Sequence, residues 1–144
     1  MFLTFTGNMN DLPESVFVVI PALNEASVVG DVIEQVRRVC PNVVLVNDGS
    51  SDETALRARL AGARVISHAI NLGQGAALQT RITYALRLGA SHIVTFDADG
   101  QHDPKQIPSL IQSLDDNGAD VALGTRFKGS TIDMPMSRRL LLQA

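Results

Sequence analysis

The sequence has a single cysteine, Cys40, and that scarcity excludes an internal disulfide framework. The thiol reads instead as apolar filler at a helix end, and a reducing compartment fits it. Basic runs are missing as well. Nothing longer than the pairs Arg37-Arg38 and Arg138-Arg139 occurs, and the formal net charge is -3. That balance argues against a nucleic-acid surface. No apolar run approaches the roughly 18 residues of a membrane span. The first residues, Met1 to Phe5, lack a basic region and are too short for a secretory h-region. A cytoplasmic location is therefore expected, the cytoplasmic face of a membrane included. Hairpin signals, internal repeats and low-complexity linkers are absent too.

What remains is a chain of 144 residues, 45% hydrophobic and 19% charged, suited to one domain with a real core. Residues 1–15 show no period and read as a loose leader; residues 16–144 read as the domain. Val16–Ile20 and Val43–Val46 are continuous apolar runs, as strands buried on both faces require. Shorter strands are predicted over 63–67, 92–96 and 120–124. Between them, apolar residues recur at helical spacing: Val28, Val29, Val32, Ile33 and Val36 in the first helix, then Leu78, Ile82, Ala85 and Leu86 in the third. Ser50 and Glu53 have capping-box spacing, which predicts the second helix from about Ser51. Gly62 suits its left-handed stop. Asp103-Pro104 and Pro108 offer two starts for a fourth helix ending near Asn117-Gly118. Strands alternating with helices predict an α/β fold: a mostly parallel sheet with helices on both faces.

Ligands of such sheets sit beyond the carboxyl ends of the strands. The residues with the most chemistry fall there. Asp97 and Asp99 follow the fourth strand, and residues two apart on extended chain point the same way. Two anions converging on one point call for a cation, and a hard divalent ion with oxygen ligands suits them. Gly100 permits a sharp turn after the pair and Gln101 offers a third oxygen. The same residues also compose an ordinary polar turn. Asn24 and Glu25 follow the first strand, Asp48 the second and Arg126 the fifth. Asp48 is placed either to accept hydrogen bonds from a nucleobase or ribose, or to form a turn before a helix. Glu25 could equally complement a helix dipole, and Arg126 could clamp a diphosphate or face solvent. Gly73-Gln-Gly75 fails as a dinucleotide fingerprint, because Leu78 holds the third glycine position. Its glycines suit close backbone approach to a ligand or neighbouring loop. His68 and His92 read as structural, while His102 lies nearer the carboxylate pair.

Five stretches in order carry a resemblance over roughly residues 16–139. They are Val18 to Glu25, Val46 to Thr54, Asn71 to Ala77, Phe96 to His102 and Gly124 to Phe127. Together they resemble the family-2 glycosyltransferases of GT-A fold, in the branch of dolichyl-phosphate mannose synthase and other polyprenyl-phosphate glycosyltransferases. The resemblance implies a GDP- or UDP-sugar donor, Mg²⁺ or Mn²⁺, and a polyprenyl-phosphate acceptor. It implies that Pro21, Ala22, Asn24, Glu25 and Asp48 line the nucleoside pocket, with Gly73 at its loop. It also implies that Asp97, Asp99 and Gln101 hold the metal, and that Asp99 and Arg126 act at the donor diphosphate. Two positions depart from the pattern: Arg81 stands where a small residue is usual, and Gln74 replaces a frequent basic residue. In the family an acceptor-binding half follows the point where this chain stops. The chain is therefore expected to be a donor-binding part, with Leu140, Leu141 and Leu142 poorly covered or buried in a dimer contact and peripheral membrane association open. Two rivals stand beside this reading. A nucleotidyltransferase would carry a Gly-rich basic loop after the first strand, where this chain has Pro21-Ala-Leu-Asn-Glu25. A non-catalytic nucleotide-sensing or assembly module would not need the carboxylate pair.

Overall fold

The computed structural model describes residues 12–122 and residue 124. Its elements alternate along the chain. They are β1 (Val16–Ala22), α1 (Val29–Arg37), β2 (Val43–Asn47), α2 (Thr54–Leu60) and β3 (Arg64–Ser67), then α3 (Gln74–Arg87), β4 (His92–Thr95) and α4 (Ile107–Asn117). The four strands form one sheet in the order β3-β2-β1-β4, with every pairing parallel. β1 is central because its side chains are apolar on both faces and fully enclosed from Val16 to Ile20.

The pleat divides the core. Val16, Val18 and Ile20 point toward Val29, Ile33 and Val36 of α1, with Ala58 of α2 and Ile107 and Ile111 of α4 in the same cluster. Phe17, Val19 and Val44 face the other way, against Ala85 of α3. Helices thus cover both faces, as the run-and-period pattern predicts. Cys40 is fully buried and free, and burial pushes its thiol pKa up, which suits a filler role.

The register sets the ends of the strands. Ala22 lies beside Asn47, and Asn47 beside Ser67. Val19 lies beside Thr95, and the ladder continues one bond further, from Phe96 N–H to Val19 O at 3.0 Å. Two more steps bring Asp97 to the level of Pro21, at the same rim as Asp48.

Four expectations need correction. The second helix begins at Thr54, not Ser51, and no side chain caps it in the Ser50/Glu53 manner. Ser50 Oγ instead accepts from Asn24 N–H at 2.9 Å, so the box has lost its cap to a neighbouring loop. The buried face of α3 is rotated from the leucine stripe: Ala77, Arg81 and Ala85 are buried, while Leu78 and Leu86 are exposed. Short side chains let the helix sit close to the sheet, and the leucines are left on its outer side. Residues 120–122 and 124 form no strand. Val121 is 72% exposed there and gains no burial to hold it. Finally, residues 12–15 are tied down. Leu12 packs on the core, Ser91 N–H donates to Ser15 O at 2.8 Å, and Asn42 Nδ2 donates to Glu14 O at 2.7 Å.

The α4 start and stop are as expected. The Asp103 side chain accepts from Lys105 N–H ahead of a 3₁₀ turn (Pro104–Gln106), and Gly118 ends the helix in the left-handed region. The rotated face of α3 gives a direct test. Ala85→Leu is expected to cost about 1–3 kcal/mol by overpacking, whereas Leu86→Gln should stay within about 0.5 kcal/mol. Urea denaturation midpoints of the two variants check this.

Candidate functional site

The β1–α1 and β2–α2 loops are sewn together by side chains. Asn24, at φ 56, accepts from Ser51 N–H through its Oδ1 at 2.9 Å. Glu25 N–H donates to Thr54 Oγ1 at 2.9 Å and Ala26 N–H to Asp52 Oδ2 at 3.1 Å. Asp52 in turn accepts from the Thr54 hydroxyl, the foremost reason its carboxyl sits below the ordinary range. These bonds fix the rim from which Glu25 and Asp48 project.

Asp48 is the anchor of the rim. It is buried, and its Oδ1 accepts from Leu72 N–H at 2.9 Å while Oδ2 accepts from Gly73 N–H at 2.8 Å. His68 Nδ1 lies 2.7 Å from Oδ1. An ionised carboxylate can only accept, so Nδ1 carries the proton, and Nε2 lies 3.0 Å from the Thr80 hydroxyl. Burial pushes the Asp48 carboxyl up; the donors from Leu72, His68 and Gly73 outweigh it and hold the pKa below the ordinary value. One carboxylate thereby ties strand β2 to His68, which follows β3, and to the loop opening α3. The dyad escaped sequence reading because its members stand 20 residues apart. Their signal was only that each directly follows a strand.

Loop 70–73 approaches Gly49 more closely than any side chain would allow. A Cβ on Gly49, at φ 77, would stand 2.6 Å from Asn71 N and from Ile70 C. A close approach between loops is therefore found at Gly49, and among the described residues no neighbouring loop crowds Gly73 or Gly75. Gly73 has open space and is needed for its own φ of 89.

Between these loops and the end of β4 lies a cleft of about 380 Å³. Pro21, Ala22 and Glu25 line it from β1 and its loop, and Asp48 and Gly73 from the β2 side. Asp97 and Asp99 line it after β4. Seven of the expected site residues thus meet in one place. Leu23, Asn71, Ala77 and Ala98 join them without having been singled out as site residues. Asn24 and Gln101 stand outside the lining; Asn24 spends its side chain on Ser51, and Gln101 is exposed. Arg126, like Leu140 to Leu142, lies outside the described residues.

The carboxylate pair sits on a tight turn. Gly100, at φ 72, lets the chain reverse, and Asp99 Oδ1 accepts from Gln101 N–H at 2.9 Å. Asp97 stays open to solvent, with His102 Nε2 at 3.4 Å from its Oδ2. His102 packs edge-on against Phe96. His92 pairs with Asp115 at 3.0 Å, away from the cleft, as a structural reading expects. No group of three or more His, Cys, Asp or Glu among the described residues is arranged to hold a metal ion. Two exposed carboxylates in a cleft still fit a hard divalent ion, provided water or ligand phosphates supply the other oxygens. The lining is strongly acidic: Glu25, Asp48, Asp97 and Asp99 contribute carboxylates, and no lysine or arginine among the described residues contributes to it. Among the described residues no helix is long and apolar enough to cross a membrane.

Comparison with known proteins agrees with this geometry. The profile of glycosyl transferase family 2 matches residues 17–142. The chain is 37% identical over 134 residues to a polyprenol monophosphomannose synthase of Mycolicibacterium smegmatis, covering 87% of this chain and 50% of that one. It is 30% identical over 145 residues to the UDP-N-acetylglucosamine–dolichyl-phosphate N-acetylglucosaminyltransferase of Methanococcus voltae, covering 87% and 58% respectively. The chain spans about half the length of these curated relatives. Among solved structures, it resembles glucosyl-3-phosphoglycerate synthase from Mycobacterium tuberculosis in complex with Mn²⁺, UDP-glucose and phosphoglyceric acid. The TM-score is 0.54 at 29% identity, over 69% of this chain and 38% of the other. The parallel α/β sheet is that of the GT-A glycosyltransferases, and the nucleotidyltransferase alternative finds no support in these matches. The chain belongs to glycosyl transferase family 2.

Proposed function

We propose that this chain is the donor-binding part of a metal-dependent, inverting glycosyltransferase that moves a sugar from a GDP- or UDP-sugar to a polyprenyl phosphate. The observation that carries the reading is the meeting of Asp48, Asp97, Asp99 and the Pro21–Glu25 loop on one cleft at the carboxyl ends of the strands. The names of the relatives supply the UDP-sugar and polyprenyl-phosphate classes, and the GDP alternative rests on the motif resemblance.

Asp97 and Asp99 would hold Mg²⁺ or Mn²⁺, with Gln101 moving in as a further oxygen. Once bound, the ion neutralises charge that builds on the departing diphosphate. The chain's own residues do the rest. Pro21 and Ala22 form an apolar wall for the nucleoside. Asp48 fixes Gly73 and offers its remaining lone pair toward base or ribose. Arg126 would meet the diphosphate. An acceptor phosphate oxygen attacks the anomeric carbon from the face opposite the leaving group. The carbon–oxygen bond to the diphosphate breaks, its electron pair leaves with the diphosphate, and the configuration inverts. A phosphate acceptor is already anionic near neutral pH, so the step needs little general-base help.

Calorimetric titration of GDP and UDP, with Mn²⁺ and with chelator, tests the reading. Metal is expected to tighten binding of one nucleotide by about tenfold or more, and nucleotide to tighten metal reciprocally. Asp99→Asn should erase most of that gain while sparing metal-free nucleoside binding. If the native chain binds neither nucleotide with Mn²⁺ present, the donor reading falls. If Asp99→Asn responds to metal as the native chain does, the metal lies elsewhere.

A further inference from the structure

The buried face of α3 holds an unusual residue. Arg81 lies between Ala77, which lines the cleft one turn toward the start of the helix, and Ala85, which packs into the core one turn beyond. It is only 7% exposed. Its Nε and one Nη atom, both buried, have no hydrogen-bond partner among the described residues. No carboxylate among those residues comes within 4.0 Å of it. A guanidinium stays charged in a protein, so this one carries unmet donors and an uncompensated charge beneath the cleft. Burial pulls its pKa down, and the charge of Asp97 partly offsets this. The guanidinium is thus near enough to Asp97 for the two charges to interact, one helical turn from Ala77 in the lining. That cleft is lined by four carboxylates, a poor home for an anion unless positive charge lies close by.

We infer that Arg81 is a built-in cation of the donor site: its guanidinium meets the phosphates of a nucleoside diphosphate from beneath and competes with the divalent ion for the field of Asp97. The inference rests on the donor reading above. A planar fork with free N–H groups suits phosphate oxygens. An incoming diphosphate would supply acceptors to donors that now have none. The same positive charge repels a divalent ion at Asp97 and Asp99. Arg81 therefore shifts the cleft away from dependence on metal and toward direct binding of phosphate.

The test compares the native chain with Arg81→Met and Arg81→Lys by calorimetry, using UDP, GDP, uridine, guanosine and Mn²⁺ alone. In EDTA the native chain is expected to bind one diphosphate measurably. Arg81→Met should lose about tenfold of that affinity, the worth of one charge-assisted hydrogen bond, and Arg81→Lys less. Binding of the matching nucleoside should not change. Mn²⁺ alone should bind Arg81→Met several-fold more tightly than the native chain. The inference is overturned if native chain and Arg81→Met bind the diphosphate equally in EDTA. It is also overturned if the native chain binds diphosphate only when Mn²⁺ is present, an outcome that leaves the donor reading intact. Failure of the native chain to bind either diphosphate under any condition removes both. Should Arg81→Met fail to fold, Arg81→Lys and the native chain's binding in EDTA decide.

Discussion

Gly49→Ala is expected to dismantle one wall of the cleft. Two separate causes add. The new Cβ would lie 2.6 Å from backbone atoms of Ile70 and Asn71, which cannot rotate away as a side-chain end could. The residue must also keep φ near 77, where a side chain is strained. Together these should cost about 2–5 kcal/mol. Relief comes by moving loop 70–73 off Gly49, and that movement pulls Leu72 and Gly73 N–H from Asp48. Nucleotide binding should therefore vanish at concentrations that saturate the native chain. Gly89→Ala is the control. It has φ 85 but open space around its missing Cβ, so it should cost only about 1–2 kcal/mol and leave binding intact. Thermal melts and nucleotide titration of the pair separate crowding from backbone strain. Equal costs for the two substitutions would show that the loop yields freely.

Asp48→Ala should have a comparable effect by another route. It leaves Leu72 N–H and His68 Nδ1–H without their acceptor inside the fold, while Gly73 N–H keeps only its bond to Asn71 Oδ1. The expected loss is about 2–4 kcal/mol, together with loss of nucleotide binding. Asp48→Asn keeps one acceptor oxygen and should cost less. It also exposes a pH signature. The folded-state pKa of Asp48 is lowered. Its stabilisation is therefore complete above the unfolded value, about 3.9, and is lost as pH falls through the lower folded one. The stability gap between native chain and Asp48→Asn should stay constant above about pH 5 and narrow in acid below about pH 4. A gap that widens in acid would contradict the assignment of a charged, hydrogen-bonded carboxylate.

Much of this was legible in the sequence, for identifiable reasons. The runs at Val16–Ile20 and Val43–Val46 report burial on two faces, and they became the two central strands. The carboxylates after β2 and β4 fell at one rim because a parallel sheet gathers its strand ends there. Periodicity failed on α3, where Ala77 and Ala85 bury little area and Arg81 sits in the core-facing row. A hydrophobicity count follows the leucines and so selects the wrong side. Local spacing failed at Ser50, whose hydroxyl is claimed by Asn24, 26 residues away. The Asp48–His68 pair and the Gly49 contact depend on register between strands, which no local pattern encodes.

The strand order also carries a consequence for how the molecule comes into being. β1 pairs with β2 across one short helical crossover, but its other neighbour, β4, is joined through contacts such as Ser91 to Ser15, 76 residues apart. During synthesis β1, β2 and β3 can associate as soon as they emerge, since domains assemble from the N-terminal side while the chain grows. One flank of β1 then waits as an open, apolar edge until β4 arrives, and such edges invite pairing with other chains. A nascent chain arrested before residue 92 would own the Pro21–Glu25 and Asp48 sides of the cleft, yet lack Asp97 and Asp99 entirely. Ligand present in the cell could not favour that species through the carboxylate pair. Rescue of slow or destabilised variants by metal, and by the metal-dependent part of nucleotide binding, must therefore act after β4 has docked rather than during the earlier assembly.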